Sequence, residues 1–336
     1  MQAEYIEMDD HDIVVCFSAD NNYAQHMTVA LASILRNRSP DDSFRVYVLE
    51  SGISDENKKK INELKQICDF SITFVEPKIN PSIIEKLPLR KNDRLSIAAY
   101  YRVFIPELIN EEKVIYLDCD IVVLSSLSEL YNIDCGDYYL LGVRDIDSKE
   151  HAERLSIRNY INSGVLVFNC KKIREDNASE YLSDWISKNI ESVRFHDQDI
   201  LSGAFSEKIL YIPDKWNVQL SRSGQIKTRR FMRLKDKRIL HYISKDKPWL
   251  PEYYANPYVG EYFVNLRCTP FREFENEYEK KVAKIRFKDR LLSILLAIIS
   301  PFFSKKRSRY GVYNEYRVLF FSFKRPRKWY FQWKRT

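Results

Sequence analysis

Several features that would assign a chain quickly are missing from these 336 residues. The six cysteines, Cys16, Cys68, Cys119, Cys135, Cys170 and Cys268, include no CxxC pair. Several fall in apolar, β-rich runs, which suits reduced core thiols better than a disulfide framework or a zinc site. There is no internal repeat and no Gly/Ser-rich linker. The opening MQAEYIEMDDHD is acidic, without the basic and apolar regions of a secretory signal, so a cytoplasmic location is expected. An apolar stretch within 286–303 runs for roughly 13 residues, short of the ~20 that a spanning helix needs.

What is present describes an ordinary globular protein, 45% hydrophobic and 30% charged, long enough for a substantial core. The net charge of +7 is unevenly spread. Residues 281–336 hold 16 Lys and Arg against Asp289 and Glu315, a balance of +14, so the rest carries −7. Thirteen of those 56 residues are Phe, Tyr or Trp. The composition changes near 265–285, which suggests a body over 1–265 and a basic, aromatic region over 266–336. Interleaved cations and aromatics after an apolar helix fit an interfacial anchor on an anionic leaflet. A core helix, or less readily a nucleic-acid contact, would share that composition.

Strand-like and helix-like runs alternate through the body. IVVCFSAD (13–20), FRVYVLE (44–50) and FSITFVE (70–76) read as strands. YAQHMTVALASILRN (23–37) and the Ser-capped SDENKKKINELKQIC (54–68) read as helices. This βαβαβ rhythm predicts an α/β fold with a mostly parallel sheet covered on both faces. A helix over 94–109 then feeds a strand over 113–123. YYLLGVRD, YINSGVLVFN, KILYIP and RILHYI supply further strands, with helices across 177–189 and near 197–206.

Within the 113–123 run, YLDCDIVV sets Asp118 and Asp120 among residues that favour burial. Strand alternation would point both carboxylates one way, with Cys119 opposite. At the carboxyl end of a central parallel strand, they would face the crevice where such folds bind ligands. Two hard oxygen donors there suit a divalent cation that also takes phosphate oxygens. The triplet alone is a weak signal: with 23 Asp, roughly 1.5 D-x-D triplets arise by chance, and this chain has four. A strand-end cap is the plain alternative. A haloacid-dehalogenase-like phosphatase, with Asp118 as nucleophile, is another. Its acidic partner pair should lie downstream, yet Asp9/Asp10 and Asp41/Asp42 lie upstream.

Six segments in order, CFSADNNYAQHMTVALASIL, LSIAAYYRVFIPEL, YLDCDIVV, YINSGVLVFN, FHDQDIL and HYISKDKPW, resemble glycosyltransferase family 8, especially its bacterial lipopolysaccharide galactosyl- and glucosyltransferases. The resemblance covers about 12–250 and implies a GT-A, Rossmann-like nucleotide-binding domain. It also implies retaining transfer of glucose or galactose from UDP-glucose or UDP-galactose to a saccharide or lipid-linked acceptor. Mn²⁺, with Mg²⁺ as the alternative, would be held by Asp118, Asp120 and His241. Without the resemblance, His241 on an apolar strand reads as a core histidine.

The resemblance further implies that Ser18, Asp20, Asn22, Tyr23, Arg102, Cys119, Ser244 and Lys247 bind the nucleotide. Asp20 to Tyr23 could instead be a turn, and Arg102 a surface ion pair. Ser244 stands where the family usually has Gly. Asp145, Asn162, Gly164, Asp197 and Gln198 would hold the donor sugar, although DQD also reads as a helix start. Gln198 is implied near the reacting face, with Asp199 the fallback nucleophile. The implied protein is a peripheral enzyme on the inner face of the cell membrane, with no nucleic-acid partner. A sugar-nucleotide-binding protein without turnover is the non-enzymatic alternative.

Overall fold

IVVCFSAD forms β1 (Ile13–Asp20), and nearly every residue of it is buried. Its side chains alternate between two apolar clusters: Val15 and Phe17 enter one, Val14 and Cys16 the other. A strand covered on both faces needs layers on both sides, and the chain supplies them. The computed structural model describes residues 12–79, 87, 97–220 and 236–299. The expected basic, aromatic stretch from residue 300 onward, and the first residues of the helix expected over 94–109, lie outside these.

After β1 come α1 (Ala24–Arg36), β2 (Phe44–Ser51), α2 (Asp55–Asn62) and β3 (Ser71–Val75). Ser54 caps α2 by accepting the Asn57 amide at 3.3 Å, as its place before an acidic first turn predicts. The segment expected as one helix is instead three short pieces, Ala98–Tyr101, a 3₁₀ turn Arg102–Phe104, and Ile105–Leu108. Pro106 lies at the start of the third piece, where its missing N–H costs nothing.

β4 (Lys113–Leu117) and β5 (Ile121–Val123) correct the expectation of one strand over 113–123. Apolar continuity cannot reveal that the chain turns at Asp118–Asp120 and passes into a second sheet. β6 (Leu140–Arg144), α3 (Ser148–Leu155), β7 (Ile161–Asn169), α4 (Ala178–Asn189), α5 (His196–Ala204) and β8 (Ile209–Tyr211) follow. The main sheet has the order β3-β2-β1-β4-β7-β6-β8. Only β7 runs against its neighbours. The other pairings are parallel, as expected.

A small second sheet contains β5, β9 (Val218–Gln219) and β10 (Ile239–His241) in the order β5-β10-β9. β10 pairs antiparallel with β5, setting His241 opposite Ile121, and the Tyr242 amide donates to the Asp120 carbonyl at 2.9 Å. A histidine remote in sequence is thereby fixed beside Asp120.

By contacts, 1–247 and 264–272 form one unit, and 248–263 with 273–336 another. Within the second, α6 (Phe274–Ile299) runs for 26 residues. Tyr278 meets Phe263 at 4.4 Å between ring centroids, and Tyr254 donates to Asp289 at 3.3 Å. Among the described residues, no helix is long and apolar enough to cross a membrane.

Candidate active site

The carboxyl ends of β1, β4 and β6 meet the amino end of antiparallel β7 at one edge of the main sheet. Asp118 follows β4, and its amide donates to the Gly164 carbonyl at 2.8 Å. Asp118 and Asp120 converge through the turn between two sheets, not through alternation along one strand. Nε2 of His241 lies 3.2 Å from Oδ1 of Asp120 and 3.6 Å from Oδ2 of Asp118. One ligand atom from each of the three residues lies within 4.8 Å of the others.

Each carboxylate commits one oxygen elsewhere. Oδ1 of Asp118 takes the Tyr116 hydroxyl and the Arg102 guanidinium, both at 2.9 Å. Oδ2 of Asp120 takes the Lys247 ammonium, which also donates to the Tyr242 carbonyl at 2.7 Å. The other oxygen of Asp120, Oδ1, is buried without a hydrogen-bond donor. An orphaned anionic oxygen in that position is costly unless a cation meets it, so the donor set fits a hard divalent ion. Burial opposes ionisation of Asp120, yet the Lys247 ammonium holds its carboxyl below the usual range.

Gly164 makes the convergence possible. A Cβ there would lie 2.1 Å from Cε1 of His241 and 2.6 Å from Oδ2 of Asp118, closer than real atoms approach. Arg102 is buried instead of forming a surface ion pair. Besides Asp118 it meets Asp197 at 3.2 Å, donates to the Ala99 and Ser163 carbonyls, and stacks 4.5 Å from the Tyr116 ring centre. Burial pushes the Asp197 carboxyl up against the pull of Arg102.

The residues expected to read a sugar form one network. Asp145 Oδ2 accepts Asn162 Nδ2 at 3.0 Å and Gln198 Nε2 at 3.3 Å. Gln198 Oε1 accepts the Ser163 amide at 3.0 Å. Asp199 is fully buried, and both oxygens are engaged. Arg154 and Tyr160 donate to Oδ1 at 2.6 and 2.5 Å, and the Arg194 and Phe195 amides to Oδ2 at 2.6 and 2.9 Å. Those donors hold its carboxyl low against the cost of burial.

In the first βα turn, Asp20 accepts the Asn22 and Tyr23 amides, both at 3.0 Å. The turn anticipated from Asp-Asn-Asn is therefore present, and it leaves Asn22 exposed. Burial, then the charges of Asp120 and Asp118, raises the Tyr23 phenol. Ser18 donates to the Ala98 carbonyl at 2.5 Å, and buried Cys119 to the Ser18 carbonyl at 3.3 Å. Ser18 thereby ties β1 to the Ala98–Tyr101 helical piece, and Cys119 ties the Asp118–Asp120 turn to β1. Ser244 has φ +59°, the left-handed region that glycine favours.

Sequence reasoning missed Asn217 and Gln219. Both are buried in the β9 segment. Asn217 bridges His241 and Asn162, and Gln219 fastens the Arg144–Ile146 loop that carries Asp145. A polar pair within the apolar run WNVQL was the available signal.

A crevice at the strand ends that presents two carboxylates, an imidazole, a lysine and a separate network of amides suits an enzyme that binds a nucleotide sugar. The sequence pattern of glycosyl transferase family 8 matches residues 14–252, and the chain belongs to that family. A putative glycosyltransferase of Haemophilus influenzae is 32% identical over 243 residues, covering 70% of this chain and 72% of its own. A lipopolysaccharide 1,2-glucosyltransferase of Escherichia coli is 26% identical over 311 residues, covering 86% and 88%. The crystal structure of the galactosyltransferase LgtC with donor and acceptor sugar analogues superposes with a TM-score of 0.66 at 28% identity, covering 77% and 96%. The protein is therefore a glycosyltransferase of GT-A fold, and the phosphatase expectation is set aside.

Proposed function

We propose that the protein is a metal-dependent, retaining hexosyltransferase that moves glucose or galactose from a UDP-sugar to the saccharide of a lipopolysaccharide or other cell-surface glycan. The observation that carries this reading is the convergence of Asp118, Asp120 and His241, with Asp120 Oδ1 lacking any donor. Those three residues would hold Mn²⁺ or Mg²⁺, which supplies charge neutralisation to the diphosphate leaving group.

The remaining work falls to the chain's own groups. Lys247, within reach of Asp120, offers an ammonium to diphosphate oxygens as negative charge develops there. Tyr23 and the Asp20 turn give the base and ribose an aromatic face and acceptors. Asp145, Asn162 and Gln198 present a joined set of donors and acceptors to sugar hydroxyls. Such sets discriminate epimers, because a misplaced hydroxyl leaves buried polar groups unpaired. The saturated carboxylate of Asp199 favours attack from the leaving-group face over a covalent intermediate on that residue. Gln198 would then face the reacting carbon, with the departing phosphate oxygen as base.

We place the enzyme at an anionic membrane surface. On α6, Phe287, Leu291 and Leu292 are exposed, alongside Lys284, Arg286, Lys288 and Arg290. The relatives' lipopolysaccharide acceptors favour the same location.

The test is UDP release from UDP-glucose and UDP-galactose with and without Mn²⁺, in the wild type and Asp120→Asn. Metal-dependent turnover that falls at least about 100-fold in the variant supports the reading. Binding of both ligands with no turnover on any saccharide acceptor would make the protein a binder only.

A further inference from the structure

We propose that Asn217 is a positioning residue. It fixes His241 in the tautomer whose bare Nε2 faces Asp118 and Asp120. Two neighbouring groups have fixed hydrogen-bonding roles. A backbone N–H can only donate, and the Gly164 amide meets Oδ1 of Asn162 at 3.2 Å. A carboxylate accepts, and Asp145 meets Nδ2 of Asn162 at 3.0 Å. The Asn162 amide therefore cannot be turned over, and it shows Asn217 an acceptor.

Asn217 answers with its NH₂, 2.8 Å from Asn162 Oδ1. Its carbonyl oxygen is then the atom facing Nδ1 of His241, at 3.0 Å. An amide oxygen accepts, so Nδ1 carries the hydrogen, and in the neutral ring Nε2 then carries the lone pair. That lone pair lies 3.2 Å from Asp120 Oδ1 and 3.6 Å from Asp118 Oδ2. With the ring neutral, three electron-pair donors face one another, an arrangement that a cation satisfies. Asn217 is fully buried, so water does not compete for either bond. The same relay links the histidine through Asn162 to Asp145 and Gln198.

The inference rests on the metal-dependent reading for its consequence, though not for its geometry. It is tested by long-range ¹H–¹⁵N spectra of the metal-free protein and by Mn²⁺ titration followed by electron paramagnetic resonance. The wild type is expected to show the Nδ1–H form. Asn217→Asp, which still accepts at that position, keeps the tautomer and most of the affinity. Asn217→Ala loses the single tautomer and weakens Mn²⁺ binding roughly 10- to 100-fold. An Nε2–H tautomer in the wild type would overturn the proposal, as would an Asn217→Asp variant that loses the Nδ1–H form. Unchanged Mn²⁺ affinity in a folded Asn217→Ala protein would do the same. If the wild type shows the Nδ1–H form, lost in Asn217→Ala, yet binds no Mn²⁺, the positioning role stands and the metal-dependent reading falls.

Discussion

The imidazole of His241 occupies the space that a side chain at Gly164 would fill, with Cε1 2.1 Å from the position of a Cβ there. Gly164 cannot gain a side chain unless the His241 ring moves. Gly164→Ala is expected to push the ring from Asp120 and to weaken Mn²⁺ binding by about 10- to 100-fold, with the secondary structure retained. Metal titration with circular dichroism on the same sample checks this. An alanine variant that binds like the wild type would mean the ring yields easily.

Arg102 is the cation between Asp118 and Asp197. Arg102→Met leaves two carboxylates in the interior without it, and the loss of one partner from a buried ion pair costs about 3–5 kcal/mol. Arg102→Lys should recover only part of this, since an ammonium cannot span both acids as a planar guanidinium does. Urea denaturation of the three proteins gives the ranking.

Ser244 has a positive φ, at +59°. A non-glycine residue there stores about 1–2 kcal/mol, partly offset in Ser244→Gly by the greater freedom of an unfolded glycine. Ser244→Gly should raise stability by up to about 1 kcal/mol, and Ser244→Val should lower it by a similar amount or more. Melting temperatures decide the sign.

Asp199 sets an acid limb. Its carboxyl lies below the ordinary value in the folded protein because Arg154, Tyr160 and two backbone amides favour the ionised form. That stabilisation is complete above the unfolded value of about 4. It is lost as pH falls through the lower folded value. Asp199→Asn should therefore be less stable at neutral pH and show a shallower loss as pH falls below about 4. Melting curves across that range would expose equal slopes if the idea is wrong.

The charge asymmetry predicts where the protein is found. Removal of 300–336, which carry eleven Lys and Arg against Glu315, should release it from phosphatidylserine-containing vesicles at moderate salt. Flotation of the full-length and shortened proteins measures the difference. Equal flotation would argue that α6 alone suffices or that no anchor exists.

Much of this molecule was legible in the chain because local pattern and global fold agree. β1, α1 and β7 carry unambiguous apolar patterns, and each appears where it was read. The candidate metal trio and the residues expected to read a sugar could be picked out only through an ordered resemblance, since Asp-x-Asp triplets recur by chance. What stayed hidden depends on distant parts of the chain meeting. A turn between two sheets lies inside an unbroken apolar run at Leu117–Ile121. Gly164 was expected among the residues that hold the donor sugar, and its clearing of space for the His241 ring was not foreseen. Asn217 lay unnoticed because Asn162 and His241 are both far from it in sequence, and no period of two or 3.6 marks such a residue.

The pairing of β10 with β5 has a consequence for how the chain is made. Asp118 and Asp120 leave the ribosome long before His241, and the strand that delivers the imidazole can dock only after nearly three-quarters of the protein has been synthesised. A nascent chain halted before residue 239 should already contain both acids and yet show no firm grip on manganese. The capacity to load metal would then arise late in translation, as a sign that the body has closed.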